Sequence, residues 1–485
     1  MEDSVLVEHP NSISASAPSS SGRLPLWRTI LYSLGNAAGL LTYWTFNSYV
    51  QYFYTTVMGV SPEWVGRGWF AFGFWNAVND PVAGWLSDRT STRWGRRRFY
   101  IGLLAIPTSV AFALVWLPPF ERGNTAALMV YFLVIISIYD MLQSIVTLNQ
   151  DALFPEMYED TVSRAGGASV RQLIGFVVGT GLAVALTPTI YGKLGWNALA
   201  LLWGLLAAVM YLLSLVGIRE DPAFARSGRQ TSWREQIRVV ANNRTFLIVL
   251  GINFTTRFVL AVILAIMPFY ADIVLQITEE QLSTLLGLLL AASGLSLVVW
   301  QAIIKRWGTR RSMIVSMAIS AVCATPLLFA KSVIAVGAAL GLLGIAIGGT
   351  VLGPDLLFAE VVDDDYVRTG LRREGMYRGI LGFIFRFPPA VAGLMLGEGL
   401  ALAGYDSDLA AGTQPEAVAG VIRAFSTILP TIAIAVGIAL LVAYPLYGER
   451  LDAIQRRAMV MRRQATSRAN RPAPAAGTSE SVPSD

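Results

Sequence analysis

Asp80 is a carboxylate about seven residues inside an apolar stretch, with Asn76 one helical turn earlier and Asn79 beside it. A carboxylate at that depth in a membrane helix costs about 3 kcal/mol or more unless it faces a partner or water, so such acids are normally functional. Asp80 and the two amides could bind a cation through oxygen ligands or exchange a proton. The alternative is structural: Asp80 accepts hydrogen bonds from helix termini near Pro81.

A second group of polar side chains repeats along one face of a later apolar stretch. Asp140, Ser144, Thr147 and Asp151 are four, three and four residues apart. At about 100° per residue, they lie within about 60° of one another on a helix. The stripe therefore predicts one polar face on an otherwise apolar helix.

Two arginines lie too deep in apolar stretches to be simple end anchors. Arg257 and Arg386 both need a partner, and a guanidinium binds oxyanions through a bidentate fork. If both face a cavity, they suit a carboxylated, sulfated or phosphorylated substrate. Pairing inside the protein with Asp355 or Asp140 is an equally open alternative.

The composition places these side chains in a membrane protein. Hydrophobic residues make up 54% of the 485 residues and charged residues only 14%. Apolar runs of about 20 residues or more can each cross a hydrocarbon core of about 30 Å as a helix. We expect an all-α protein with twelve such spans, at residues 27–55, 63–86, 99–118, 125–153, 166–190, 195–218, 244–272, 279–304, 312–330, 333–361, 375–403 and 418–447.

The basic residues are segregated by loop rather than gathered in one patch, so the net charge of +5 does not indicate a nucleic-acid partner. They concentrate between spans 2 and 3, 6 and 7, 8 and 9, and 10 and 11. By the positive-inside rule these loops are cytoplasmic, and an even number of spans puts both termini there. We expect a multi-pass protein of a bacterial-type plasma membrane, with the lipid bilayer and a small-molecule substrate as partners, and a monomer.

An internal duplication divides the chain. "DALFPEMYEDTVSR" (151–164) returns as "DLLFAEVVDDDYVR" (355–368), "RQLIGF" as "RGILGF", and "RWGRRR" as "RWGTRR", each slightly more than 200 residues later. We expect two pseudo-symmetric six-helix bundles with the substrate site between them. The expected organisation is a disordered tail (1–22), a first bundle (23–218), a cytoplasmic linker (219–243), a second bundle (244–447) and a cytoplasmic, mostly disordered tail (448–485).

The stretch "NAVNDPVAGWLSDRTSTRWGRRR" (76–98), with "LFPEM...SVRQ" and "RREGMYRG", resembles the glycoside-pentoside-hexuronide:cation symporters of the major facilitator superfamily, typified by melibiose permease. The resemblance spans residues 28–447. It implies a cytoplasmic gate in which acids and arginines latch neighbouring helices. The expected gate residues are Asp88, Arg89, Arg96, Arg97, Asp151 and Glu156, with Asp355 and Glu360 in the repeat.

The resemblance also implies roles for the intramembrane residues. Two family acids on helix 2 hold the coupling Na⁺ or H⁺, and here they correspond to Asp80 and Asn76; the family acid of helix 4 falls on Thr147. Losing the acid at position 76 favours proton coupling, or no coupling, over Na⁺. Arg171 matches the family's substrate-binding arginine, with snorkelling to the interface as its alternative. The expected cation-coupling residues are Asp80, Asn76, Asn79 and Thr147, and the expected substrate residues are Arg171, Asp140, Ser144, Tyr43, Asn47, Arg257 and Arg386.

We therefore expect an alternating-access symporter for a glycoside or related polar solute, coupled to H⁺ or Na⁺, with no cofactor and no metal. An alternative cargo is an amphipathic or anionic solute such as a lysolipid, because the family's sugar-binding Lys-Asp pair of helix 1 falls on Gly39 and Leu40. An integral-membrane enzyme is disfavoured, because His9 is the sole histidine and no nucleophile-base pair stands out.

Overall fold

The computed structural model describes residues 24–89, 92, 94–158, 161–218, 243–371 and 373–469. The expected N-terminal tail and nearly all of the linker at 219–243 lie outside these residues, and so do the side chains of Asp80, Asp88 and Arg89. Every regular element within the described ranges is helical.

Fourteen α-helices make up this part of the chain. They are α1 Leu26–Tyr52, α2 Pro62–Arg89, α3 Arg97–Val115, α4 Thr125–Met157, α5 Thr161–Ile174, α6 Thr187–Gly217, α7 Arg244–Phe269, α8 Glu279–Trp307, α9 Thr309–Ala324, α10 Val333–Thr369, α11 Glu374–Ile384, α12 Phe387–Leu402, α13 Glu416–Ala443 and α14 Glu449–Ala469. Shorter π-helical segments extend α1, α5 and α7, and Gly175–Leu186 joins α5 to α6.

The twelve expected passes are present. Nine segments of the described chain are long and apolar enough to cross a bilayer. One of them, Gly166–Gly217, has 52 residues and turns at Gly195, whose φ of 82° suits glycine, so it makes two passes. The remaining two passes are α1 and α2, which have 27 and 28 residues and are more polar.

The helices pack as two pseudo-symmetric bundles. In the first half, α1 packs on α6, α2 on α4, and α3 on both α4 and α6. The second half repeats this pattern: α7 packs on α13, α8 on α10, and α9 on both α10 and α13. The halves meet where α2 contacts α12 and where α8 contacts the segment Gly175–Leu186. The duplication in the sequence is thus a duplication in space.

The C-terminal segment differs from the expectation of mostly disordered chain. Residues Glu449–Ala469 form α14, which packs on α10. Ile454 and Ala458 are buried in that contact, and Arg462 pairs with Asp363. The helix is stabilised by these partners from another part of the chain, which its own polar composition does not reveal.

Candidate functional site

A cavity of about 360 Å³ lies between the two halves, a volume within the range of roughly 300–1,000 Å³ common for small-molecule sites. Its wall comes from α1, α2, α4 and α5 of the first half and from α7, α11 and α12 of the second. Aromatic side chains contribute much of the apolar surface: Tyr43, Phe46, Trp69, Phe72, Tyr139 and Phe385. The cavity therefore offers both stacking surfaces and polar groups.

Most of the expected intramembrane residues reach this cavity. Nine of them line it: Tyr43, Asn47, Asn76, Asp140, Ser144, Thr147, Arg171, Arg257 and Arg386. Asn79 lies behind the wall, where its Nδ2 donates to Asp140 Oδ2 at 2.8 Å. The structure thus brings together residues from both halves that are up to 343 positions apart, as Tyr43 and Arg386 are.

The contact between α2 and α4 leaves two amide oxygens without a hydrogen-bond partner among the described residues. Asn76 and Asn79 are 9% and 3% exposed, and the Oδ1 atom of each is unpaired. Buried polar atoms normally have partners, so unpaired oxygens beside a carboxylate can receive a cation or a proton-bearing group. Asp140, which is 7% exposed, is the carboxylate whose side chain the structure places there.

Arg171 is held on the basic side of the cavity, the side of the α2–α3 and α8–α9 loops. Its guanidinium donates to Asn36 Oδ1 at 3.0 Å and forms an ion pair with Asp151. It also lies near the rings of Tyr32 and Phe154. The structure therefore joins an expected substrate residue to an expected gate residue within one half.

Arg257 lies in the middle of α7 yet is exposed, because it lines the cavity. Its guanidinium lies 3.6 Å from the centre of the Phe385 ring, and it forms no ion pair among the described residues. Arg386 lies at the break between α11 and α12 and lines the same space. The cavity wall of the second half is therefore positively charged.

Gate residues expected from the repeat occupy equivalent places with different partners. Glu156 faces Arg97 at 3.1 Å and Arg96 at 3.9 Å. In the second half, Glu360 instead accepts from Thr309 Oγ1 at 2.8 Å and from Tyr444 at 2.9 Å. Thr309 stands where the first repeat has Arg96. Arg310, the equivalent of Arg97, is still present but donates to the backbone oxygens of Leu441 and Val442 instead. Asp355 is exposed and lies outside the cavity wall.

Two glutamines of the cavity wall were not predicted from the sequence. Gln143 accepts from Tyr211 at 2.9 Å and donates to the backbone oxygen of Gly39 at 3.3 Å. Gln150 donates to Ser214 at 3.0 Å. Both follow a stripe residue by three positions, so the helical spacing that revealed the stripe of α4 includes them as well.

The two halves are joined on the side opposite the basic loops. Ion pairs there link Arg67 to Glu398 at 2.6 Å, Arg122 to Asp408 at 3.0 Å and Lys193 to Glu280 at 2.8 Å. Hydrogen bonds add Tyr52 to Asp272 at 3.1 Å and Thr56 to Tyr405 at 2.9 Å. The cavity instead reaches Arg171 and Asp151 near the basic ends of the helices, so it opens toward the basic side.

Comparison with known proteins agrees with this architecture. The chain belongs to the MFS/sugar transport protein family, whose model matches residues 31–448. The expected membership of the major facilitator superfamily and its glycoside-pentoside-hexuronide symporters is confirmed, and the chain is a membrane transporter.

Two curated proteins and one solved structure are similar to this chain. The isoprimeverose transporter of Lactiplantibacillus pentosus is 25% identical, covering 85% of this chain and 88% of its own length. The sodium-dependent lysophosphatidylcholine symporter 1-A of Danio rerio is 22% identical, covering 88% and 87%. A crystal structure of the nucleoside transporter NupG shares the fold, with a TM-score of 0.59 at 12% identity, covering 84% of this chain and 98% of its own.

Proposed function

We propose that the protein is a proton-coupled symporter of a glycoside that carries an oxyanion, a carboxylate being the simplest. The observation that supports this most is Arg257, a guanidinium exposed to a cavity in the middle of the membrane without an ion-pair partner among the described residues. A cation at that depth is costly unless an acid, a solute or water compensates it, and the charge of Asp355 acts on Arg257 only from beyond ion-pair distance. Hydroxyl, amide and aromatic groups around it suit a sugar ring.

The proposed orientation puts the basic side in the cytoplasm of a bacterial-type plasma membrane. Lysines and arginines at the adjoining ends of α8 and α9 and around the end of α10 support it through the positive-inside rule. The described state is then inward-facing, and both termini are cytoplasmic. The proposed functional unit is a monomer, because the site lies between the halves of one chain.

The proposed coupling ion is a proton bound on the carboxylates of α2 and α4, Asp80 and Asp140. Asn76 replaces one of the two acids in the family pattern, which removes a charge that Na⁺ binding uses. Protonation would change the relative stability of the two access states, and only such a difference can drive uptake. We expect Asn76→Asp to add sodium dependence to uptake.

A lysolipid is the second candidate cargo. The aromatic lining supports it, as does the similarity to the lysophosphatidylcholine symporter of Danio rerio. The cavity volume of about 360 Å³ supports the glycoside over the lysolipid, because a long acyl chain needs an apolar path beyond this space.

Uptake by the purified chain in proteoliposomes tests the proposal. We expect methyl β-D-glucuronide to accumulate when an inward proton gradient is imposed, to be recovered chemically unchanged, and to be competed by other carboxylated glycosides. Uptake of lysophosphatidylcholine with no effect of any carboxylated glycoside would favour the second candidate. Accumulation driven by a sodium gradient alone would show that the coupling ion is Na⁺ rather than a proton.

Substitutions at two glycines can separate an effect on closure between the halves from an effect on packing within one half. A Cβ at Gly397 would lie 2.4 Å from the backbone oxygen of Pro62, across the contact between α2 and α12. A Cβ at Gly344 would lie 2.3 Å from the backbone oxygen of Leu289, inside the second half. We expect Gly397→Val to reduce uptake about 10-fold or more by opposing closure of the outer side, with little change in melting temperature.

Gly344→Val is the matched control, and it should instead lower the melting temperature by on the order of 5 °C through overpacking. Uptake and thermal unfolding measured on both variants check the pair. Equal losses of stability would show that the α2–α12 contact does not open.

A further inference from the structure

A second, smaller cavity continues the central one toward the outer side. It has a volume of about 40 Å³ and lies between α1, α7 and the start of α12. Six residues line both cavities: Tyr43, Asn47, Trp69, Arg257, Phe385 and Pro389. We name this smaller cavity the outer slot. Because Arg257 lies at the junction, a solute bound to its guanidinium would reach the slot directly.

The walls that belong to the outer slot alone are mostly apolar. Leu260, Ala261, Leu264 and Ala265 form the α7 side, facing Trp44 and Val50 on α1. Gln51 also lines the slot, but its Nε2 donates to the backbone oxygen of Gly393 at 2.9 Å. An apolar, uncharged group therefore fits these walls better than a sugar hydroxyl does.

Ser48 is the exception in this wall. It is 3% exposed, and its Oγ has no hydrogen-bond partner among the described residues. Buried hydroxyls normally have a partner, so the Ser48 hydroxyl beside this wall can pair with a polar group that enters the slot. A substituent with a single hydrogen-bonding atom would satisfy it.

The volume limits the size of the occupant. One water-sized molecule needs roughly 10–15 Å³ of such volume, so 40 Å³ accommodates about three. A methylene group is similar in size to a water molecule, so the slot holds about three or four heavy atoms. That matches a propyl group better than an extended acyl chain.

We propose that the outer slot is a subsite for a short apolar substituent on the transported oxyanion-bearing solute, with Ser48 serving one polar atom of that substituent. The proposal rests on the proposed function, since it places the oxyanion at Arg257. On this proposal the outer slot contributes to substrate specificity, because it favours solutes by the length of the group attached to the sugar.

Binding of alkyl β-D-glucuronides to the full chain in lipid nanodiscs tests this, by calorimetry with methyl, propyl and octyl compounds. We expect propyl to bind about 10-fold tighter than methyl, because two more methylenes are buried, and octyl to bind no tighter than propyl. Ala261→Trp should remove the propyl gain, so that propyl binds no tighter than methyl. Val298→Trp, on a lipid-facing position of α8 that is 73% exposed, is the control.

A second variant keeps the proposal testable if Ala261→Trp does not fold. Leu264→Ala enlarges the outer slot and should move the optimum from propyl to a longer chain. Equal binding of methyl and propyl, or a propyl gain that persists in Ala261→Trp, would overturn the subsite while leaving the proposed function intact. Absence of binding by all three compounds would overturn both.

Discussion

Arg257→Gln is expected to lower kcat/KM for proton-driven uptake of a carboxylated glycoside by about 100-fold. Removing the charged partner of a desolvated oxyanion costs about 3 kcal/mol, and each 1.4 kcal/mol corresponds to about 10-fold. Glutamine keeps a polar group but is uncharged and shorter, so the loss reports the charge, the forked geometry and the reach of the guanidinium together. Initial rates in proteoliposomes measure the change.

Three comparisons make this result specific. Arg257→Lys should recover only part of the activity, because an ammonium lacks the planar fork. Arg311→Gln, at an exposed position on the basic side, should leave uptake unchanged. The wild type should prefer the carboxylate to its neutral carboxamide, and Arg257→Gln should lose that preference. If the variant keeps the preference, Arg257 does not bind the oxyanion.

Cross-linking the two halves on the outer side, which is the side opposite the basic loops, is expected to abolish uptake reversibly. Arg67 on α2 and Glu398 on α12 face each other across the halves with Nε and Oε1 2.6 Å apart. In a Cys323→Ser background, which removes the native cysteine, Arg67→Cys with Glu398→Cys provides two thiols for a short bifunctional methanethiosulfonate reagent. The linker should hold the outer side closed, so uptake should fall to background and return after reduction.

Each single cysteine variant, treated with the same reagent, is the control and should retain most of its uptake. Mass spectrometry under non-reducing conditions gives the cross-linked fraction independently of uptake. Full uptake by a fully cross-linked sample would contradict alternating access at this interface.

The ion pairs between the halves, on the side opposite the basic loops, are weak enough for that side to open. Arg67, Arg122 and Lys193 belong to the first half, while their partners Glu398, Asp408 and Glu280 belong to the second. Exposed pairs contribute about 0–1 kcal/mol each and are screened by salt. In all three pairs the cation belongs to the first half and the acid to the second. Because each pair is weak, together they favour the closed state of this side but still allow it to open.

The class of protein follows from the sequence alone. Lipid satisfies no backbone hydrogen bonds, so each crossing must be a long apolar helix that composition reveals. The repeat at 151–164 and 355–368 is also visible in the sequence itself, and it predicts two equivalent halves. The polar stripe of α4 and the deep Arg257 were recognisable because a charged or polar group in hydrocarbon is costly enough to indicate a cavity.

The partner of each charged group, by contrast, was decided only by the tertiary structure. Whether Arg171 pairs with Asp151, and whether Glu360 accepts from hydroxyls rather than from an arginine, depends on how separate helices rotate and cross. The same holds for the outer slot above Arg257 and for α14, whose contacts join distant parts of the chain. Helical periodicity determines which face a residue occupies, but only packing between helices determines what that face meets.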